Sequence, residues 1–259
     1  MNLFNIISKI GEINTSSLFN LPNTEPFNTE GKTLKSSGVS ALKGQSSVTA
    51  ITDVLNFALK LEFLESAYYN QGVSSGVILA ADLAIFQQIK KHEAAHVAFL
   101  QSTISALGGT PIASPNFDFT AGGAFNPFTV YGDFLALSQA FEDTGVRAYK
   151  GQAGNLITNN TVLTAALQIH SVEARHASMV RRLRNKNGMD STAKGWITGN
   201  SRGTLPSATQ AIYNGDENTT QGGVNVTTLT NVGTAAIQEA FDEPLTDVQV
   251  AAIVQPFIV

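Results

Sequence analysis

The stretch Ile89-Lys90-Lys91-His92-Glu93-Ala94-Ala95-His96-Val97-Ala98-Phe99-Leu100 is centred on Glu93-x-x-His96. On a helix, residues three apart lie on one face, so a carboxylate and an imidazole are presented together. That combination suits a divalent transition metal accepting both oxygen and nitrogen ligands. The motif recurs once, as Glu173-x-x-His176 within Ile169-His170-Ser171-Val172-Glu173-Ala174-Arg175-His176. Two motifs imply two metal ions.

A wider repeat surrounds them. Glu62 is followed seven positions later by Tyr69, and Glu142 seven positions later by Tyr149; Glu93 follows Glu62 by 31 positions, as Glu173 follows Glu142. The spacing implies a pseudo-twofold arrangement in which two helices each supply one carboxylate and two others each supply a Glu-x-x-His. This is the ligand set of di-iron and di-manganese carboxylate proteins.

Periodicity and helix-stop residues place four helices around these motifs. The first runs from about Ser47–Thr49 to Gly72, the second from about Val77 to Leu107, ended by Gly108-Gly109. The third runs from about Thr129 to Gly151, and the fourth from a cap at Asn159-Asn160-Thr161 to just before Gly188. Two hairpins are thus joined by one long connection, Gly109 to Phe128, containing three prolines. The expected fold is all-α, a ferritin-like four-helix bundle with one long crossover.

The expected organisation is an N-terminal arm over residues 1–47, the bundle over 48–187 and a C-terminal extension over 188–259. Residues 1–12 read as a short amphipathic helix or ordered tail, and 13–47 as an extended Ser-, Thr-, Asn- and Gly-rich arm. In the extension, residues 185–225 are Gly-, Asn- and Thr-rich with one tryptophan, Trp196; a helix is expected from about Leu229 to Phe241. A second follows a capping box at Thr246-Asp247-Val248-Gln249. The apolar tail from Ile253 to Val259 is expected to be buried, on the bundle or between copies of the chain in a homo-oligomer.

Within the expected site, Glu93 and Glu173 are the bridging ligands, Glu62 and Glu142 the terminal ones, and His96 and His176 each bind one ion. Four buried carboxylates without cations are strongly unfavourable, and two divalent ions balance them. Around this set, Tyr69 and Tyr149 are candidates to hydrogen-bond a ligand or pass an electron, and His92 and His170 to support or occasionally replace one. Glu65 competes with Glu62 for the terminal position; Asp143 is expected beside the ligands or in solvent, with Arg147 and Arg175 as partners for such carboxylates. A rival reading takes His92-Glu93-Ala94-Ala95-His96 as a zinc-protease motif, with both histidines on zinc and Glu93 as general base. A third makes the Glu and His residues a metal-free polar network.

Composition narrows the partners. The chain has 259 residues, 43% hydrophobic and 14% charged, with a formal net charge of −4, which gives no support to a nucleic-acid partner. It contains no cysteine, which excludes disulfides, iron–sulfur ligation and cysteine–zinc sites. No stretch reaches the roughly 18 apolar residues of a membrane span. Met1 to Ile10 has no basic leader and makes a poor signal peptide, so the expected location is cytoplasmic by default.

Several runs are also familiar. Leu59-Lys60-Leu61-Glu62-Phe63-Leu64-Glu65-Ser66-Ala67-Tyr68-Tyr69, His92 to Leu100 with Leu107-Gly108-Gly109-Thr110-Pro111, Phe141 to Tyr149 and Glu173-Ala174-Arg175-His176-Ala177 resemble the ferritin-like family that includes desiccation-related and bacterial proteins. The resemblance spans about residues 50–185, and Glu239 to Leu245 looks like the tail of bacterial members. It implies a dinuclear iron or manganese site, distantly related to manganese catalases and rubrerythrins, and an exported location for many members. The expected function is redox chemistry on dioxygen or peroxide, catalase- or peroxidase-like, or a ferroxidase acting on ferrous iron. The alternative is a structural or stress-protective assembly protein in which the metal site only braces the bundle or is absent.

Overall fold

The computed structural model describes residues 48–259; the readings made for residues 1–47 lie outside them. Four long helices dominate: α1 (Val48–Ser75), α2 (Ala80–Ala106), α3 (Tyr131–Ala153) and α4 (Asn160–Lys186). α1 packs along α2 and α3 along α4, so two hairpins face each other across a shared core. The all-α bundle with one long crossover stands as expected.

The helix ends differ in instructive ways. Gly72 does not stop α1, which continues to Ser75 before Gly76 turns the chain at φ +78. Gly72 is there for space: a methyl group on it would overlap the ring of Phe134 on α3. α2 starts at Ala80 rather than Val77, because the chain before it is extended and Ile78 turns into the core. α3 passes Gly151 and reaches Ala153, continuing as a 3-10 turn to Leu156. At Gly151 the backbone carbonyl of Leu245 lies where a side chain would be. α4 begins as its cap implies, with the Asn159 side chain accepting from the Val162 N–H at 3.1 Å.

An aromatic cluster closes one end of the bundle. Tyr68 is fully buried, stacks on Phe134 at 5.2 Å and meets Phe119 of the crossover at 5.1 Å. The crossover is held by the C-terminal tail. Asp118 N–H donates to the Phe257 carbonyl at 2.9 Å, Val259 N–H donates to the Asn116 carbonyl at 3.0 Å, and Phe257 packs edge-on against Phe141 at 5.0 Å. Val254 and Phe257 are buried as the apolar tail implies, but Val259 is exposed.

The rest of the extension is mostly irregular. It includes a small hairpin, β1 (Thr220–Gln221) with β2 (Val224–Asn225), and two short helices, α5 (Thr234–Gln238) and α6 (Asp247–Val254). The helix expected from Leu229 to Phe241 is reduced to α5, because Leu229 and Val232 stay exposed and only Ile237 finds a core to bury in. The capping box of α6 forms in both directions, Thr246 with Gln249.

The extension covers the outer face of α3, and every residue from Phe134 to Tyr149 is buried. Gln139, Asp143 and Arg147 recur every fourth position and so line one stripe. Arg181 of α4 reaches Asp143 at 2.5 Å, Tyr213 donates its hydroxyl to Asp143 at 2.7 Å, and Arg184 reaches Gln139 at 2.5 Å. Asp143 is therefore neither solvated nor beside the ligands, as the sequence reading had it. Arg147 likewise points away from the bundle centre, donating to the carbonyls of Ile212, Asn214 and Glu243. Arg175 is exposed.

Candidate metal centre

Glu62 from α1, Glu93 and His96 from α2, Glu142 from α3, and Glu173 and His176 from α4 meet at the bundle centre, each glutamate 0% exposed. His96 Nδ1 lies 3.2 Å from Glu62 Oε2, 3.2 Å from Glu93 Oε2 and 3.1 Å from Glu173 Oε1. His176 Nδ1 lies 3.0 Å from Glu93 Oε1, 3.2 Å from Glu142 Oε2 and 3.8 Å from Glu173 Oε2. These are two four-residue groups, each with its ligand atoms within 4.8 Å of one another, that share Glu93 and Glu173. Each shared carboxylate gives one oxygen to one group and its other oxygen to the second.

The donor set fits metal ions. Glu93 Oε1, Glu142 Oε2, both oxygens of Glu173 and His176 Nδ1 are buried without a hydrogen-bond partner, although they converge closely. Buried polar atoms in folded proteins are nearly always paired, and a cation within each group satisfies all of these at once. Nitrogen with carboxylate oxygen is a donor set that iron and manganese both accept.

The electrostatics of the metal-free cluster agree. Burial and the neighbouring Glu173 charge push the Glu62 carboxyl well above its usual range. Burial does the same to Glu142, against the opposing pull of His176. Burial alone would lower the His96 pKa, but the Glu173, Glu62 and Glu93 carboxylates crowded around its ring raise it to about 12. His176 is raised as well, burial being overcome by Glu142, Glu173 and Glu93. Glu173 is held down at about 2, where the two imidazoliums outweigh its burial. Without metal, the two histidines carry the positive charge the carboxylates demand.

Two tyrosines brace the cluster crosswise. Tyr149 of α3 donates to Glu62 Oε1 of α1 at 2.5 Å, and Tyr69 of α1 donates to Glu142 Oε1 of α3 at 2.5 Å. Each leaves the other carboxylate oxygen facing the cluster. His92 is stacked on His176, with 5.2 Å between ring centroids, and its Nδ1 is 2.9 Å from His176 Nε2. A hydrogen bond from His176 Nε2–H to His92 leaves Nδ1 of a neutral His176 free to bind a cation, the usual device for fixing a ligand tautomer.

His92 therefore lies outside both groups, and the two histidines of the zinc-protease motif do not converge on one point. His170 also lies apart: its Nδ1–H donates to the Val146 carbonyl at 3.0 Å, tying α4 to α3. Glu65 is buried beside the cluster but outside both groups, of which Glu62 is a member. The sequence reading overlooked Gly145, whose α-carbon faces Glu65 and Glu173. Its signal was available, because Gly145 stands where the repeat would place a counterpart of Glu65.

A helical bundle built around a buried carboxylate–histidine centre is the class that fold and site define. The chain belongs to the ferritin-like domain family, whose model matches residues 50–186. No curated protein matches the chain.

Proposed function

We propose that this protein holds two divalent transition-metal ions, iron or manganese. Glu62, Glu93, His96 and Glu173 bind one, and Glu93, Glu142, Glu173 and His176 bind the other. The function is redox chemistry on dioxygen or peroxide in protection against oxidative stress, catalase- or peroxidase-like, with oxidation of ferrous iron as a variant. The carrying observation is the pair of overlapping groups, in which Glu93 and Glu173 each divide their two oxygens between the two histidines.

When bound, such a pair supplies a change of oxidation state shared over two ions. The chain's own residues do the rest. Tyr69 and Tyr149 fix the orientation of Glu142 and Glu62, and His92 fixes that of His176. Full burial of the glutamates keeps bulk water from the centre. Small neutral oxidants are the substrates this enclosure favours. Among the described residues, no helix is long and apolar enough to cross a membrane.

The same burial favours a second reading, in which the metals brace the bundle and do not turn over. One experiment separates the two. Metal content per chain is measured by elemental mass spectrometry, and the loaded protein is then assayed for peroxide and dioxygen consumption with azide as a spectroscopic probe. About two equivalents of iron or manganese, with turnover and an azide-sensitive spectrum, support the enzyme. Two inert equivalents support the scaffold. Absence of stoichiometric metal after anaerobic reconstitution sinks both.

A further inference from the structure

We infer that a small neutral oxidant reaches the centre through a groove between α2 and α4 that opens beside His96. This deepens the redox reading above and rests on its dinuclear site.

Of the six central residues, His96 lies nearest the surface. Its side chain is 11% exposed, against 5% for His176 and 0% for each glutamate. A groove of about 220 Å³ adjoins it, lined by His96 and Phe99 of α2 and by Ala165, Gln168, Ile169 and Val172 of α4.

The repeat explains why the groove lies on this side. Positions 80 apart are equivalent, so His92 corresponds to Val172, Gln88 to Gln168 and Ile85 to Ala165. At His176, the ring of His92 is stacked on the ligand, and Gln88 Nε2 lies 2.7 Å from His92 Nε2. At His96, the matching places hold Val172, which has no imidazole, and Ala165, which is smaller than Ile85. Gln168 keeps its amide but has no ring to hold, and among the described residues its side chain has no hydrogen-bond partner. The plug that covers one histidine is therefore missing beside the other, and the groove stands in its place.

The lining selects the occupant. Phe99, Ala165, Ile169 and Val172 are apolar, and no carboxylate borders the groove. A hydrated ferrous ion would shed its water there without compensation. Dioxygen and hydrogen peroxide carry no charge, and the Gln168 amide can donate to and accept from peroxide. The groove thus favours an oxidant as the substrate over ferrous iron.

The test uses nitric oxide, a neutral diatomic, mixed in stopped flow with Fe(II)-loaded protein. Wild type is compared with Val172→His and Ala165→Ile, which give α4 the side chains that α2 carries at the equivalent places. Circular dichroism and metal analysis check that both variants fold and hold two ions. Each should slow association by about tenfold or more, a factor that corresponds to about 1.4 kcal/mol on the barrier to entry. Rates equal to wild type in both loaded variants would overturn the inference and leave the dinuclear reading intact. Slowing in Val172→His alone would also overturn it, because the new imidazole would then be acting on the metal and not on the passage. Failure of wild type to take up two Fe(II) ions would remove the dinuclear reading and this inference with it.

Discussion

Tyr69 on the first helix donates its hydroxyl to Glu142 on the third, at 2.5 Å, from one hairpin to the other. Its counterpart Tyr149 returns the same bond to Glu62. Each tyrosine therefore steadies a carboxylate of the opposite hairpin. Removing either hydroxyl leaves a buried carboxylate oxygen unsatisfied, which costs about 1–3 kcal/mol. Tyr69→Phe and Tyr149→Phe should each lower metal-free stability by that amount in urea unfolding, and by similar amounts, because the bonds are mirror images. A variant with unchanged stability would show that its tyrosine is only packing.

Ligand replacements should divide sharply. Glu93→Ala or Glu173→Ala removes an oxygen from both groups at once and should abolish loading of two ions, as read by metal analysis. His92→Ala removes only a support of His176 and should retain most of the metal. Loss of metal in His92→Ala with retention in Glu173→Ala would bring back the zinc-protease geometry.

The pH dependence follows from the shifted groups. His96 rises from 6.5 to about 12 on folding, so its stabilisation is complete below pH 6.5 and fades as pH climbs toward 12. Glu173 falls from 4.5 to about 2, so its stabilisation is complete above pH 4.5 and is lost as pH drops through 2. The raised Glu62 and Glu142 favour the folded state most when protonated, at the acidic end. Metal-free protein should therefore be most stable at mildly acidic pH and weaker at pH 8, measured by denaturant midpoints. Metal must displace the histidine protons, so its apparent affinity should rise about tenfold per pH unit for each proton released. Calorimetry in buffers of different ionisation enthalpy counts those protons, and a count of zero contradicts the scheme.

Gly72→Ala tests the hairpin contact. The added methyl overlaps the Phe134 ring, and overpacking of this kind costs typically about 1–3 kcal/mol. The gain in helix propensity, about 1 kcal/mol, works against it. A net loss of stability is expected in urea unfolding, and a net gain would mean the hairpins have slack between them.

The bundle and its six central residues were legible because their information is local and repeated. Glu-x-x-His fixes one helix face, and the 31-residue spacing fixes a hairpin. What escaped the sequence lies between elements. Gly72 reads as a stop until Phe134 is seen beside it. Tyr69 shares a face with Glu62, but two helical turns separate them along the axis, and only the assembled bundle shows that it bonds Glu142. Gln139, Asp143 and Arg147 formed a visible polar stripe on α3, yet nothing in their own helix announced that the extension would cover it. The short α5 shows the converse, a helix-forming stretch with little to pack against.

The recurrence of the ligand set at 80 positions also bears on how such a centre could arise by duplication. A single hairpin carrying one Glu and one Glu-x-x-His is half a site, and two copies of one gene product would complete it about a true symmetry axis. In such a symmetric dimer, whatever stood at the position of Glu65 would stand there twice, as two glutamates crowding the centre or two glycines leaving it bare. Within a single chain the halves need not be identical, and Glu65 sits against the space that glycine at position 145 leaves open.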